Sequence, residues 1–247
     1  MPWIKILNRK NHPFTNKIKV HGVSIEIILI AAFVLIVVFL GAVYFIAPAK
    51  KSALIYNSPL QRLLAGNNRF SHLQPIHPDE DVQRLREAAV AQHPFAVVVC
   101  CSDSRVSPEL IFDEGIGNLF VIRTAGNIIG GLEIGSIEYA VEHLNVKLIV
   151  VMGHEKCGAI KAFIEGGEIP GHIKDIVDSI KEEMEIKAIS LNGANRMNDC
   201  IKANVQHGIN QLMVQSRIIR EKVKNKQVDI VGLRYDLDDL SVKILNQ

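Results

Sequence analysis

Three short, continuous runs of apolar residues constrain the fold of this chain more than any other feature. They are Phe95–Val99, Leu119–Ile122 and Leu148–Met152. A strand covered by helices on both faces has no polar side, so it appears in a sequence as an unbroken apolar run. We therefore expect these three runs to be buried strands of a largely parallel sheet.

Segments with helical periodicity or helix-start signals alternate with further strands along the chain. Ser58-Pro59 opens an amphipathic helix. Further helices are predicted at 81–92, 135–144, 156–164, 173–189 and 199–224, and further strands at 228–233 and 242–245. This alternation predicts an α/β fold, a mostly parallel central sheet flanked by helices. We find no repeat or linker after Ser52 and therefore expect one domain over residues 52–247.

A different structure is predicted before that domain. Ile27–Ala47 is a run of 21 residues without a charge. As a helix it would span about 31 Å, close to the bilayer's hydrocarbon core of about 30 Å. Only basic charges precede Glu26, and such a flank is expected to stay cytoplasmic. The sequence thus predicts a basic cytoplasmic tail over 1–24 and a transmembrane helix or uncleaved signal anchor over 25–47.

The predicted protein would be a single-pass membrane protein whose 52–247 domain is periplasmic or otherwise extracytoplasmic. An alternative stays open, because Ala47-Pro48-Ala49 resembles a signal-peptide cleavage site. Cleavage there would give a secreted protein.

Composition excludes several classes of protein. Hydrophobic residues make up 48% of the chain and charged residues 22%, which favours a packed core over disorder. The formal net charge is +2 and comes from the basic tail, so the remainder is mildly acidic. Nothing there resembles the clustered basic face that contacts phosphates, and no nucleic-acid partner is expected. A disulfide framework of the four cysteines is disfavoured, since such folds are usually shorter chains with a poor core.

Reactive residues follow two of the predicted strands, in the segments Cys100-Cys101-Ser102-Asp103-Ser104-Arg105 and Gly153-His154-Glu155-Lys156-Cys157-Gly158. Ligands of open α/β sheets bind just past the carboxyl ends of strands. Cys101, His154 and Cys157 would supply two thiolates and one imidazole and leave one position open, as in catalytic zinc sites. Cys100 is the competing ligand. Because side chains alternate along a strand, we expect it to point away from Cys101 into the core.

These two segments resemble the signature motifs of the β-class carbonic anhydrases. The likeness runs from about Leu60 to Leu245 and includes the segments 60–67 and 119–127. It implies reversible hydration of carbon dioxide to bicarbonate by attack of zinc-bound hydroxide. The resemblance also implies one Zn²⁺ per chain, no other cofactor, and a homodimer or higher even oligomer with its sites near the subunit interface.

The resemblance assigns the zinc ligands to Cys101, His154 and Cys157 and a catalytic pair to Asp103 and Arg105. Asp103 can accept a hydrogen bond from the nucleophile, and Arg105 can hold Asp103 ionised and away from the metal.

Two positions depart from the family pattern, and two other functions remain open. Gly115 stands where plant-like relatives carry a glutamine near the substrate, and Thr124 stands where many have asparagine. One alternative is a related zinc hydrolase of carbonyl sulfide or carbon disulfide. The other is a non-catalytic membrane protein that binds zinc or bicarbonate.

Overall fold

The chain divides into two compact units, Met1–Leu54 and Ile55–Gln247. A computed structural model describes residues 19–20, 23–46 and 55–245. In the first unit two short antiparallel strands, β1 (Lys19–Val20) and β2 (Val23–Ser24), precede the helix α1 (Ile25–Ile46).

The structure does not support the membrane-spanning helix predicted over residues 25–47. Among the described residues, no helix is both long and apolar enough to cross a membrane. The predicted single-pass, extracytoplasmic localisation is therefore not upheld, and the membrane is removed from the expected partners. Most of the predicted 1–24 tail, and the proposed cleavage site at 47–49, lie outside the described residues.

A five-stranded sheet forms the centre of the second unit. Its strands are β3 (Ala96–Cys101), β4 (Leu119–Thr124), β5 (Leu148–His154), β6 (Asp229–Tyr235) and β7 (Val242–Ile244). Their order is β4-β3-β5-β6-β7, and all pairs are parallel except β6 with β7. Every residue of β3 and β5 is buried, as their unbroken apolar sequences predict. The predicted mostly parallel α/β sheet is confirmed.

Helices cover both faces of this sheet. The helices described in this unit are α2 (Pro59–Ser71), α3 (Val82–Val90), α4 (Pro108–Ile111), α5 (Gly131–His143), α6 (Gly158–Glu165), α7 (Ile173–Glu182), α8 (Met184–Lys187), α9 (Arg196–Gln215) and α10 (Arg217–Lys224). The start of α2 is as predicted: the Gln61 N–H donates to the Ser58 hydroxyl at 3.2 Å, and Pro59 takes the first turn. The helices predicted over 173–189 and 199–224 are each split in two.

The two faces of the sheet contribute to separate apolar cores. Val97, Val99 and Ile149 pack on one face with α5, α9 and α10. Their neighbours Val98 and Cys100 pack on the other face with α2. The long helix α9 approaches β5 closely at Gly153, where an added Cβ would lie 2.8 Å from the Val205 side chain. This close packing fixes the carboxyl end of β5.

Candidate metal centre

The three predicted ligands meet at the carboxyl ends of two neighbouring strands. Cys101 is the last residue of β3 and His154 the last residue of β5, which lie side by side and parallel. Cys157 follows after a tight turn and immediately precedes α6. Their side chains are buried, and the ligand atoms all lie within 4.8 Å of one another. One ion can therefore contact all three.

His154 carries the clearest sign that this group fits a metal. Its ring is 1% exposed, and neither ring nitrogen has a hydrogen-bond partner among the described residues. An unsatisfied buried polar group costs roughly 1–3 kcal/mol, so such a histidine needs another partner. Coordination supplies one. The Cys₂His donor set fits zinc and leaves a fourth position open.

The two site cysteines share their charge unequally. A hydrogen bond with Cys157 lowers the pKa of Cys101, against the opposing effect of burial. The same hydrogen bond, together with burial, raises the pKa of Cys157 well above its usual range. When no metal is bound, the Cys101 thiolate is thus favoured and Cys157 keeps its proton. A cation would take the remaining proton's place, because thiolates are the form that binds zinc.

Cys100 has a different environment, although it directly precedes Cys101. It is fully buried with Val98 and Met152 in the apolar core on the other face of the sheet. Burial raises the pKa of this thiol to about 12. The side chains alternate as predicted, and Cys100 lies outside the ligand group. Cys200 packs in the same apolar cluster as Cys101 and Cys157 but also lies outside that group.

Asp103 and Arg105 form a two-pronged ion pair beside the ligand group. Arg105 donates from Nε to Oδ1 of Asp103 at 2.9 Å and from Nη2 to Oδ2 at 2.7 Å. These bonds hold the pKa of Asp103 well below its usual range, against the opposing effect of burial. The side chain of Asp103 is 16% exposed and that of Arg105 51% exposed. Asp103 and Arg105 thus contact each other as predicted, and the carboxylate is the more buried of the two groups.

Arg123 of β4 supports the same loop, and the sequence reasoning gave it no role. Its guanidinium donates to the carbonyl of Asp103 at 2.8 Å and to that of Cys101 at 3.3 Å. It therefore ties the segment after β3 to the neighbouring strand. A charged residue at the end of a predicted buried strand is a signal of a special role. The contacts of Arg123, however, depend on β4 lying next to β3.

The two departures from the family pattern have local structural explanations. Gly115 is buried against the preceding loop, and an added Cβ would lie 2.2 Å from the carbonyl oxygen of Pro78. No side chain fits there. Thr124 donates from its hydroxyl to the Ile128 carbonyl at 2.7 Å and closes the turn that follows β4.

Comparison with known proteins gives a consistent result. The carbonic anhydrase family model matches residues 96–242. Carbonic anhydrase 2 of Mycobacterium tuberculosis is 40% identical over 181 residues, which cover 72% of this chain and 86% of that protein. The carbonic anhydrase of Mycolicibacterium smegmatis is 40% identical over 183 residues, or 72% and 88%. Among solved structures, a tetrameric β-carbonic anhydrase from Sordaria macrospora superposes with a TM-score of 0.60 at 28% identity, covering 74% of this chain and 95% of that one. All five predicted site residues lie within the matched family region.

Proposed function

This chain belongs to the β-class carbonic anhydrases, and on that premise we propose that Cys101, His154 and Cys157 hold one catalytic zinc ion beside the pair of Asp103 and Arg105. The enzymes of this family use zinc to hydrate carbon dioxide to bicarbonate, and this chain is a carbonic anhydrase. The family and its named relatives support hydration of carbon dioxide over the two alternative functions left open by the sequence. The observation that carries the ligand assignment is the buried Cys₂His group, whose histidine has no hydrogen-bond partner among the described residues.

The residues of the chain prepare the reaction in separate ways. Zinc bound here supplies a Lewis acid that makes water a nucleophile near neutral pH. Asp103 remains a carboxylate and can accept a hydrogen bond from the attacking water, which orients the water's lone pair towards carbon dioxide. Arg105 engages both oxygens of Asp103, so the carboxylate is kept from joining the ligand group.

We propose further that the enzyme is a homodimer or a higher even oligomer. The Sordaria macrospora relatives are described as tetrameric. In the described part of this chain, α3 buries none of its side chains and leaves Val82, Leu85 and Val90 exposed by 62%, 44% and 88%. An apolar helix face of this kind suits contact with a second copy of the chain.

Stopped-flow hydration of carbon dioxide tests the zinc assignment. The protein should be active as purified, lose activity when a strong chelator removes zinc, and regain it when zinc is returned. Full activity in protein shown by elemental analysis to be metal-free would overturn the proposal. So would the absence of hydration in protein that holds one zinc per chain.

A further inference from the structure

A buried amide in α9 needs an explanation that packing does not give. Asn204 is 3% exposed and lies on the inner face of α9 with Cys200, Val205 and Gly208. Asparagine is a poor residue for a helix interior, and a buried amide must be hydrogen-bonded to avoid a large penalty. Its Nδ2 donates to the carbonyl oxygen of Gly126 at 2.8 Å.

Gly126 links this amide to the metal centre. It lies in a short 3₁₀ turn after β4, Ala125–Asn127, with a left-handed φ of 70°. An added Cβ would lie 3.0 Å from that of Ala159 in α6, so the turn packs closely against α6. The Gly126 N–H donates to the sulfur of Cys101 at 3.3 Å. Asn204 therefore holds the carbonyl of the same residue whose amide contacts a proposed ligand.

We propose that Asn204 is a positioning residue of the metal centre, which aims the Gly126 N–H at the Cys101 sulfur by binding the Gly126 carbonyl. The inference rests on the proposed ligation by Cys101. An N–H···S hydrogen bond withdraws charge from a thiolate, weakens its donation to the metal and leaves the metal a stronger Lewis acid. Partners that orient ligands in this way are typically worth about 10- to 100-fold in metal affinity or activity.

The substitution Asn204→Leu separates this role from packing. Leucine has a similar shape and keeps α9 filled at this position, but it cannot bond the Gly126 carbonyl. Leu212→Ala is the matched control, because Leu212 is a fully buried residue of the same helix that packs in the core beneath α5 and α10. That variant loosens α9 without touching the Gly126 turn.

The experiment replaces zinc with Co²⁺ in the full-length protein and records the thiolate-to-cobalt charge-transfer band, with zinc affinity measured by chelator competition. In Asn204→Leu the band should move to lower energy, because a thiolate without its hydrogen bond gives up charge more readily. Zinc affinity should fall about tenfold, because the Cys101 sulfur is no longer held in place and is more easily protonated in competition with the metal. In Leu212→Ala the band should stay at its wild-type position.

The experiment distinguishes a failure of the proposed role of Asn204 from a failure of the proposed metal centre. A band unchanged in fully loaded Asn204→Leu, or moved equally by Leu212→Ala, would overturn the role of Asn204. If Asn204→Leu does not fold, Asn204→Ala decides the question: it avoids any clash, and it cannot donate to the Gly126 carbonyl, so the band should move in the same direction. A wild-type protein that binds Co²⁺ without any thiolate band would instead refute the proposed metal centre itself.

Discussion

Cys100 and Cys101 show how one position along a strand changes the chemistry of a residue. Successive side chains of a strand point to opposite faces. Cys100 therefore lies in the apolar core, where burial keeps its thiol protonated. Cys101 points to the other face, where Cys157 and the Gly126 N–H stabilise its thiolate. Residue type alone does not distinguish the two, whereas the strand geometry does.

The first prediction follows from this contrast. Cys101→Ala should lose zinc and activity, because a ligand is removed. Cys100→Ala should keep about one zinc per chain and lose only on the order of 1 kcal/mol of stability, as expected for a small truncation in the core. Elemental analysis and urea unfolding measure both quantities. A Cys100→Ala protein without zinc beside a loaded Cys101→Ala protein would show that the two assignments are reversed.

The second prediction concerns the charge of Asp103. Because Arg105 holds the pKa of Asp103 well below its usual range, the carboxylate is charged at every pH near neutrality. Asp103→Asn should keep zinc and lower kcat/KM by roughly 100-fold, within the range for loss of a positioned proton acceptor. The rate should fall by the same factor from about pH 6 to 9, since Asp103 does not titrate there.

The matched control for that variant is Glu221→Gln, which removes the carboxylate of an exposed ion pair with Arg217 on α10. It should leave the hydration rate unchanged. An Asp103→Asn enzyme with the wild-type rate would exclude the proposed role of the pair.

At the scale of elements, the junction between α7 and α8 contains an unusual buried acid. Glu183 separates the two helices and is 2% exposed, and its Oε2 has no hydrogen-bond partner among the described residues. Burial raises the pKa of this carboxyl to about 8, and the nearby Glu185 contributes in the same direction. The group is therefore neutral in the folded protein at pH 7, whereas an unfolded glutamate is ionised.

The third prediction is the resulting pH dependence of stability. Between about pH 4.5 and 8 the folded state binds one proton more than the unfolded state at Glu183, so this carboxyl makes the free energy of unfolding fall as the pH rises. Glu183→Gln should not show this fall in the free energy of unfolding and should be more stable than the wild type at pH 8, by roughly a few kcal/mol.

Urea unfolding at pH 6 and pH 8.5 measures the effect. The control is Glu182→Gln, because Glu182 is the exposed neighbour. Identical pH dependence in Glu183→Gln and wild type would contradict this account.

The elements that the sequence predicted well are those with a strong local signature. β3 and β5 are buried on both faces, so their apolar runs locate them closely. The breaks at Glu183 and Ser216 were missed because neither residue is glycine or proline and the apolar spacing continues across both. At Ser216 the hydroxyl accepts from the Ile219 N–H at 3.0 Å and starts α10, a capping role that only the folded chain reveals.

The proposed ligands of the metal centre could be predicted because they also have a strong local signature. Its three proposed ligands stand at the ends of recognisable strands, in segments that resemble a family motif. Arg123 and Asn204 reach the same centre from β4 and α9. Their contacts depend on which strand lies beside β3 and on how α9 docks, and spacing along the chain determines neither.

For the whole molecule, the compact unit Ile55–Gln247 contains every residue of the proposed centre together with its core. The fourth prediction is that this protein sediments as a dimer or a higher even oligomer. Leu85→Lys, which places a charge on the exposed face of α3, should weaken that association at least tenfold. Val214→Lys is the control, because Val214 is an exposed apolar residue on α9. A wild-type protein that sediments as a monomer at micromolar concentration would contradict the proposed assembly.

In the proposed centre, one zinc ion is held by two sulfurs and one imidazole, with a position left open. X-ray absorption at the zinc edge of the purified full-length protein measures these neighbours. We expect two sulfur neighbours at about 2.3 Å and two nitrogen or oxygen neighbours at about 2.0–2.1 Å, one of them from His154. One sulfur should be lost from any zinc retained by Cys157→Ala. A zinc ion with no sulfur neighbour, or with three or four, would contradict the assignment.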